Sequence, residues 1–413
     1  MENRCEKALR AMPVVVVTGM RQSGKTTLVR DLSPGRGRAY RSFDDFGILA
    51  QANENPESLF ADAPVTLDEA QRAPGIFLSI KKSVDSSRKN GSFLLTGSTN
   101  ILLLKSVADS LAGRAVYLEL MPFCPAEFVF DAAMPDLIDR LFGPKFSSRD
   151  WPEITSNWMP WLFKGGFYSS ITAGSSEDRD FWFTGYVQAY LERDLRQISQ
   201  IDQLPDFQKV MRFAALRTGR LINQTEIARD AAIPQPTCHR YLNLLEAGYQ
   251  ISRLSVYAVN EAKSLIKAKK LFWNDCGLAA WLSNIRSPGD LAKRPDMGFW
   301  FEQALFQTFH SWTAMDPLRR KAYYWRNNRG QEVDLIIEKD GRIIACEIKA
   351  SSTVMPDDAK SLNAFSMSLG KHQDRLVRSI VFYGGASNRT LGENCFVLST
   401  GCFFPEIKGD TPY

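Results

Sequence analysis

Val14-Val-Val-Val-Thr18 runs straight into Gly19-Met-Arg-Gln-Ser-Gly24-Lys25-Thr26-Thr27, and this junction decides the fold of the N-terminal third. A short β-branched run of this kind forms a strand buried on both faces, as in a parallel sheet. The residues after it fit G-x-x-x-x-G-K-[ST], and Thr27-Leu-Val-Arg-Asp-Leu32 then reads as a helix. Each fixed position has a chemical reason. Gly19 and Gly24 let the loop wrap so that its N–H groups face phosphate oxygens, with Arg21, Gln22, Ser23 and Thr27 completing the cradle. The new helix points its positive dipole end at the same anion. Lys25 is placed to reach the β- and γ-phosphates of ATP, and the Thr26 hydroxyl to ligate Mg²⁺.

Working outward, Pro64-Val-Thr-Leu67 is a second strand signal, and it ends in Asp68-Glu69. Carboxylates at the C-terminal end of such a strand lie where open parallel sheets gather their ligands. Asp68 is expected to hold Mg²⁺ through water and Glu69 to orient and deprotonate the attacking water. Asp-Glu also suits a helix start. Ser92-Phe-Leu-Leu-Thr96 leads to Ser98 and Asn100, either of which can sense the γ-phosphate. Gly113-Arg114 precedes a further strand, Ala115 to Leu120. Arg114 reads either as an arginine finger toward a neighbouring subunit or as a helix-end residue meeting carbonyls.

The strings GMRQSGKTTL, TLDEAQ, LLTGSTN, SLAGRAVYLELMPFCPAEF and YLERDL resemble a family of AAA-type ATPases. Its members couple a P-loop domain to a winged helix and a restriction-endonuclease-like domain. The resemblance covers nearly the whole chain and is weakest from Phe142 to Gly165, a Trp-rich stretch that reads as a boundary or insertion. It implies ATP hydrolysis and assembly into a hexamer-like ring. The expected fold is multidomain α/β: a P-loop ATPase core (1–142), a helical lid or connector (143–205), a winged helix-turn-helix (206–285) and a PD-(D/E)xK nuclease-like domain (286–413).

In the middle, Asn223-Gln-Thr-Glu226 is a capping box opening a helix over Thr225 to Ala232, with Ile227, Ala228, Ala231 and Ala232 as its apolar stripe. A second helix follows Pro236, with Cys238, Tyr241, Leu242 and Leu245 inward and Thr237, His239, Arg240 and Asn243 outward. Tyr249 to Tyr257 can start a wing. Such a pair of helices can enter a major groove, yet its outward face is nearly neutral, so a lid or subunit contact fits equally. Lys263, Lys267, Lys269 and Lys270 form a basic run able to meet phosphates.

Further on, Asp340-Gly341 between two β-branched runs is a two-residue hairpin signal. Pairing outward from it sets Asp334 opposite Glu347, with Lys349 on the same face. Two adjacent carboxylates suit a divalent cation, Mg²⁺ or Mn²⁺, beside a phosphodiester, and the lysine can activate water. This is the D-x(12)-E-x-K pattern of PD-(D/E)xK nucleases, although Val333 stands where that pattern has proline. Glu302 matches the family's preceding helical acid, and the basic, aromatic stretch Arg319 to Arg326 can follow a nucleic-acid backbone. An ordinary cross-strand charge cluster has the same sequence.

Composition bounds the rest. At 44% hydrophobic and 23% charged, the 413 residues are those of an ordinary globular protein. Apolar runs fall far short of the ~20 residues of a membrane span. Seven scattered cysteines and three histidines without ligand spacing argue against disulfide or zinc frameworks and for a cytoplasmic setting. No secretory leader is read. A net charge of +5 permits an anionic partner such as DNA.

Overall fold

The computed structural model describes residues 1–60, 63–97, 110–129, 138–191, 203–259 and 267–406. It contains two compact units, neither continuous in sequence. One comprises Met1–Pro122, Tyr186–Asp202 and Asn243–Gln250; the other takes Phe123–Gly185, Gln203–Leu242 and Ile251–Tyr413.

The first unit is built on a five-stranded parallel sheet. Its strands are β1 (Val14–Thr18), β2 (Ala39–Ser42), β3 (Val65–Asp68), β4 (Phe93–Thr96) and β5 (Ala115–Glu119), ordered β2-β3-β4-β1-β5. All five residues of β1 are buried, because helices cover both faces. The helix Ile76–Ser86 seals one face with Ile76, Phe77, Ile80 and Val84, a spacing that keeps one helical stripe apolar. Cys5, on the helix Glu2–Ala11, joins Val15, Val17 and Leu28 in the opposite cluster. Parallel registry brings the ends of β1, β3, β4 and β5, namely Thr18, Asp68, Thr96 and Glu119, to one edge.

The second unit contains a six-stranded mixed sheet of β8 (Arg320–Arg326), β9 (Glu332–Lys339), β10 (Arg342–Lys349), β11 (Leu376–Tyr383), β12 (Arg389–Gly392) and β13 (Cys395–Ser399), ordered β12-β13-β11-β10-β9-β8. The long helix Met297–Ala314 precedes it, and Lys360–Ser368 packs Leu362 and Phe365 against Val333, Ile336 and Val381. The β9–β10 hairpin turns at Asp340 (φ 51°) and Gly341 (φ 78°), the paired positive φ of a two-residue turn. Its ladder runs from Arg342↔Lys339 to Cys346↔Leu335. One step further, at Asp334, a side chain takes over: Asp334 Oδ2 accepts from the Ile348 amide at 2.8 Å.

Before the sheet come three helices, Leu204–Ala215, Gln224–Asp230 and Gln235–Ala247, then a hairpin of β6 (Ile251–Leu254) and β7 (Lys270–Trp273). Asn223 caps the second helix by accepting from Glu226 N at 3.2 Å. That helix ends earlier than its apolar pattern suggests: Ala232 is exposed at φ 55°, not part of the stripe. The stretch Phe142 to Gly165 contributes buried aromatic residues to the second unit. Trp151 and Trp161 are buried, and their indole N–H groups donate to Ser399 O and Pro405 O at 2.7 Å each. Among the described residues no helix is long and apolar enough to cross a membrane.

Candidate nucleotide site and carboxylate cluster

The loop after β1 is shaped by sterics first. A Cβ on Gly19 would lie 2.1 Å from Leu120 O, so no larger residue fits where the chain leaves the sheet. Gly24 caps the helix Lys25–Arg30 at φ 93°, a left-handed conformation that L side chains avoid, and borders open space. Gln22 also takes positive φ, at 60°. Lys25 is buried, its Nζ donating to Met20 O at 2.6 Å and Gly19 O at 3.1 Å. Ser23 Oγ is buried with no hydrogen-bond partner among the described residues. An orphaned hydroxyl beside an open, N–H-lined turn is the pattern expected where a phosphate completes the hydrogen bonding.

Beside the loop, Asp68 is a hub. Its Oδ2 accepts from Thr26 Oγ1 at 3.0 Å and from Tyr40 OH at 2.6 Å, and its Oδ1 accepts from Thr96 Oγ1. Thr96 Oγ1 in turn accepts from the Glu69 amide at 3.1 Å. The hydroxyl and carboxylate expected to hold Mg²⁺ therefore already touch. Glu69 sits in the left-handed region at φ 55°, and its Oε2 accepts from Gln71 Nε2. It precedes a short 3-10 turn without capping it by its side chain. Tyr40 and Thr96 escaped the sequence reading; Thr96 was signalled only as the last residue of an apolar strand. Burial, then the hydrogen bond to Asp68, push the Tyr40 phenol well above its ordinary value. On the other flank, Tyr249 OH donates to Thr18 Oγ1 at 2.9 Å, and burial lifts the neighbouring Glu119 to about 7.

Arg114 lies elsewhere. Its carbonyl accepts from Val14 N at 3.2 Å, at the start of the strands, the sheet edge opposite the phosphate loop. Its guanidinium grips Asp85 with two bonds (2.6 and 2.9 Å) and donates to Ala112 O at 3.0 Å. The bond to Ala112 O is of the kind the helix-end alternative calls for. Ser98, Asn100 and Lys263 lie outside the described residues.

In the second unit, Glu302, Asp334, Glu347 and Lys349 stand on the helix Met297–Ala314, β9 and β10 as expected, but an unforeseen residue organises them. Lys270, read as part of a phosphate-facing run, is 1% exposed. Its Nζ lies 2.8 Å from Glu302 Oε1, 2.6 Å from Glu332 Oε1 and 3.6 Å from Asp334 Oδ1. Lys349 Nζ binds Glu347 Oε1 at 2.9 Å. Burial alone would push the Lys270 ammonium down; Glu302, Asp334 and Glu332 override it and hold the charge well above the ordinary lysine value. Burial lifts Glu302 to about 8 against the pull of Lys270. Burial and then the Asp334 charge lift Glu347 to about 8.

These donors do not fit the expected metal pair. Mg²⁺ demands near-octahedral oxygen ligation. Here the Asp334 oxygens face a backbone amide and Lys270, and one Glu347 oxygen faces Lys349. Glu347 Oε2 is buried with no hydrogen-bond partner among the described residues. Among the described residues no group of three or more His, Cys, Asp or Glu is placed to hold a metal ion. Glu332 was findable, since strand alternation puts it on the face of Asp334; Lys270, 32 residues before Glu302, had no local signal. Three arginines of the basic stretch Arg319 to Arg326 are likewise engaged internally. Arg319 binds Asp340 at 2.7 Å, Arg320 binds Asp139 at 2.9 Å, and Arg326 lies 3.6 Å from Glu332.

Sheet order, phosphate loop and the Thr26–Asp68 contact together define a P-loop ATPase fold. Residues 11–129 match the family model described as "AAA domain", and matches to domains of unknown function follow at 156–289 (DUF8612) and 297–403 (DUF4143). Over 407 residues the chain is 30% identical to "Uncharacterized protein Mb2031c" of Mycobacterium bovis and "Uncharacterized protein Rv2008c" of Mycobacterium tuberculosis, spanning 96% of this chain and 84% of theirs. It belongs to their family. A solved structure, the Walker-type ATPase PABY2304 of Pyrococcus abyssi, is 17% identical, covering 68% of this chain and 94% of that one at a TM-score of 0.40, a likeness too loose to bear on function.

Proposed function

We propose that the chain is a Mg²⁺-dependent ATPase of AAA type that assembles as a homo-oligomeric ring in the cytoplasm and acts on DNA. The observation that carries the ATPase reading is the 3.0 Å contact of Thr26 with Asp68 beside the open turn at Gly24. Bound Mg²⁺ would neutralise charge on the β- and γ-phosphates. Thr26 would hold it directly and Asp68 through water. Lys25 would leave its loop carbonyls for phosphate oxygens, and Ser23 Oγ would gain a partner. Glu69 would orient the attacking water and accept its proton. Parent protein should hydrolyse ATP only with a divalent cation, and Glu69→Gln should retain labelled ATP without turning it over; equal turnover in that variant rejects the assignment.

The order helix-helix-helix-hairpin over 204–273 supports a winged helix, and a helix followed by a three-stranded meander, a helix and a parallel strand supports a restriction-endonuclease-like domain. The buried Lys270 favours a specific form of this reading: the C-terminal domain grips a partner without cutting it. Labelled linear and branched DNA incubated with Mg²⁺ or Mn²⁺, with and without ATP, should remain intact. Cleavage lost in Asp334→Ala would restore the nuclease.

A further inference from the structure

The basic run that ends at the first residue of β7 is divided by burial. Lys270 turns inward to its three carboxylates, whereas Lys267 is exposed and Lys269 half-buried. Both line a groove of about 590 Å³ together with Arg253, Asn223, Gln224 and Gln235. Its floor is fixed by backbone pairing: Ile222 N donates to Lys269 O at 2.8 Å, and Leu221 bridges Lys270. Arg253 stands on β6, opposite Leu271 of β7. Among the described residues no carboxylate and no aromatic ring lines the groove. The Lys267 and Lys269 side chains make no ion pair with a described residue.

This lining discriminates between ligands. The described lining offers a nucleobase no aromatic face to stack on and a cation no acid to bind. Ammonium, guanidinium and carboxamide donors on a pre-formed floor suit phosphate oxygens. We infer that this groove anchors the phosphodiester backbone of DNA, independently of base sequence. The inference rests on the nucleic-acid reading proposed above and assigns its contact to the groove rather than to the nearly neutral outer face of the helix Gln235–Ala247. Two lysines neutralising two phosphates would contribute about 1.8 to the slope of log affinity against log salt.

The test uses the full chain and a labelled random-sequence duplex, followed by fluorescence anisotropy from low to moderate salt. Lys267→Glu with Lys269→Glu should weaken binding at least tenfold and make the salt slope shallower by about 2. Lys267→Arg with Lys269→Arg should keep both, and ATP turnover without DNA should match the parent in every variant. Because both positions reach solvent, Lys267→Gln with Lys269→Gln provides a milder version that should give an intermediate loss. Parent-like affinity and slope in the Glu variant overturn the groove while leaving a DNA partner standing. A parent that binds neither duplex nor single strand overturns both readings. Inorganic phosphate or ATP displacing the parent from no DNA, yet binding in a manner lost in the Glu variant, would make the groove a small-anion site instead.

Discussion

Among the described residues Ser23 Oγ at the phosphate loop has no hydrogen-bond partner and Gly24 borders open space, whereas at the C-terminal cluster Lys270 and Lys349 occupy one oxygen each of Glu302, Glu332 and Glu347. Both regions carry an intact sequence pattern. They differ in where the compensating charge resides. The loop presents neutral N–H dipoles and one lysine turned onto its own carbonyls, so an incoming polyanion replaces weak contacts with strong ones. The cluster is already compensated by a covalently tethered ammonium. A motif records which groups meet, and the surrounding chain decides whether any coordination is left for a guest.

The largest effect should come from the loop. Lys25→Ala should abolish measurable nucleotide binding by equilibrium dialysis. Glu69→Gln should bind normally while turnover falls about 10²- to 10⁴-fold, the range for a lost general base. Equal loss of binding in both variants would erase the division of labour inferred for this site.

Next is Lys270→Met. Removing one partner of a buried ion pair leaves uncompensated charge and typically destabilises by about 3–5 kcal/mol. All nine tryptophans belong to the second unit, so indole fluorescence reports its unfolding selectively. Its urea midpoint should drop sharply, and Mn²⁺ should recover part of the loss in Lys270→Met while leaving the parent unchanged. A parent midpoint that rises with Mn²⁺ in the absence of nucleotide would contradict the filled-cluster account.

A smaller effect concerns pH. Glu302 and Glu347 titrate near 8 in the folded chain, against about 4.3 when unfolded. Between those values the folded state binds more protons. Their contribution to stability is therefore complete below about pH 4 and lost as pH rises through about 8. The tryptophan-monitored midpoint should fall between pH 6 and 9, and Glu302→Gln or Glu347→Gln should flatten that decline. A midpoint rising over this range would show that the lysines hold both carboxyls ionised.

The smallest effect should belong to Arg114→Ala. Bound to Asp85 at the sheet edge away from its own phosphate loop, it should alter the melting temperature slightly and leave turnover near the parent's. A fall of about 10³-fold at unchanged ATP affinity, rescued by mixing with Glu69→Gln subunits, would instead assign it to a neighbour's nucleotide.

Much of this molecule is local and was readable as such. The strand, loop and helix from Val14 to Arg30 follow from contiguous residues, as do the Asp340-Gly341 turn and the ladder it registers as far as Leu335 and Cys346. The faces of the helix Gln235–Ala247 also followed from periodicity, with Cys238, Tyr241, Leu242 and Leu245 buried and His239, Arg240 and Asn243 exposed. The edge strand β2 did not, because Ala39-Tyr-Arg-Ser42 is only half-buried and carries no apolar run. Nor did the Trp-rich segment, whose indoles are paid attention by carbonyls more than 240 residues away. The sequence by itself determined the phosphate cradle, since a loop closed by neighbouring residues needs only their backbone freedom and charge. Only the tertiary structure decided the fate of the carboxylates. β7 brings Lys270 to them from a separate hairpin, and in a buried site the nearest opposite charge, however distant along the chain, sets what the cluster can still bind.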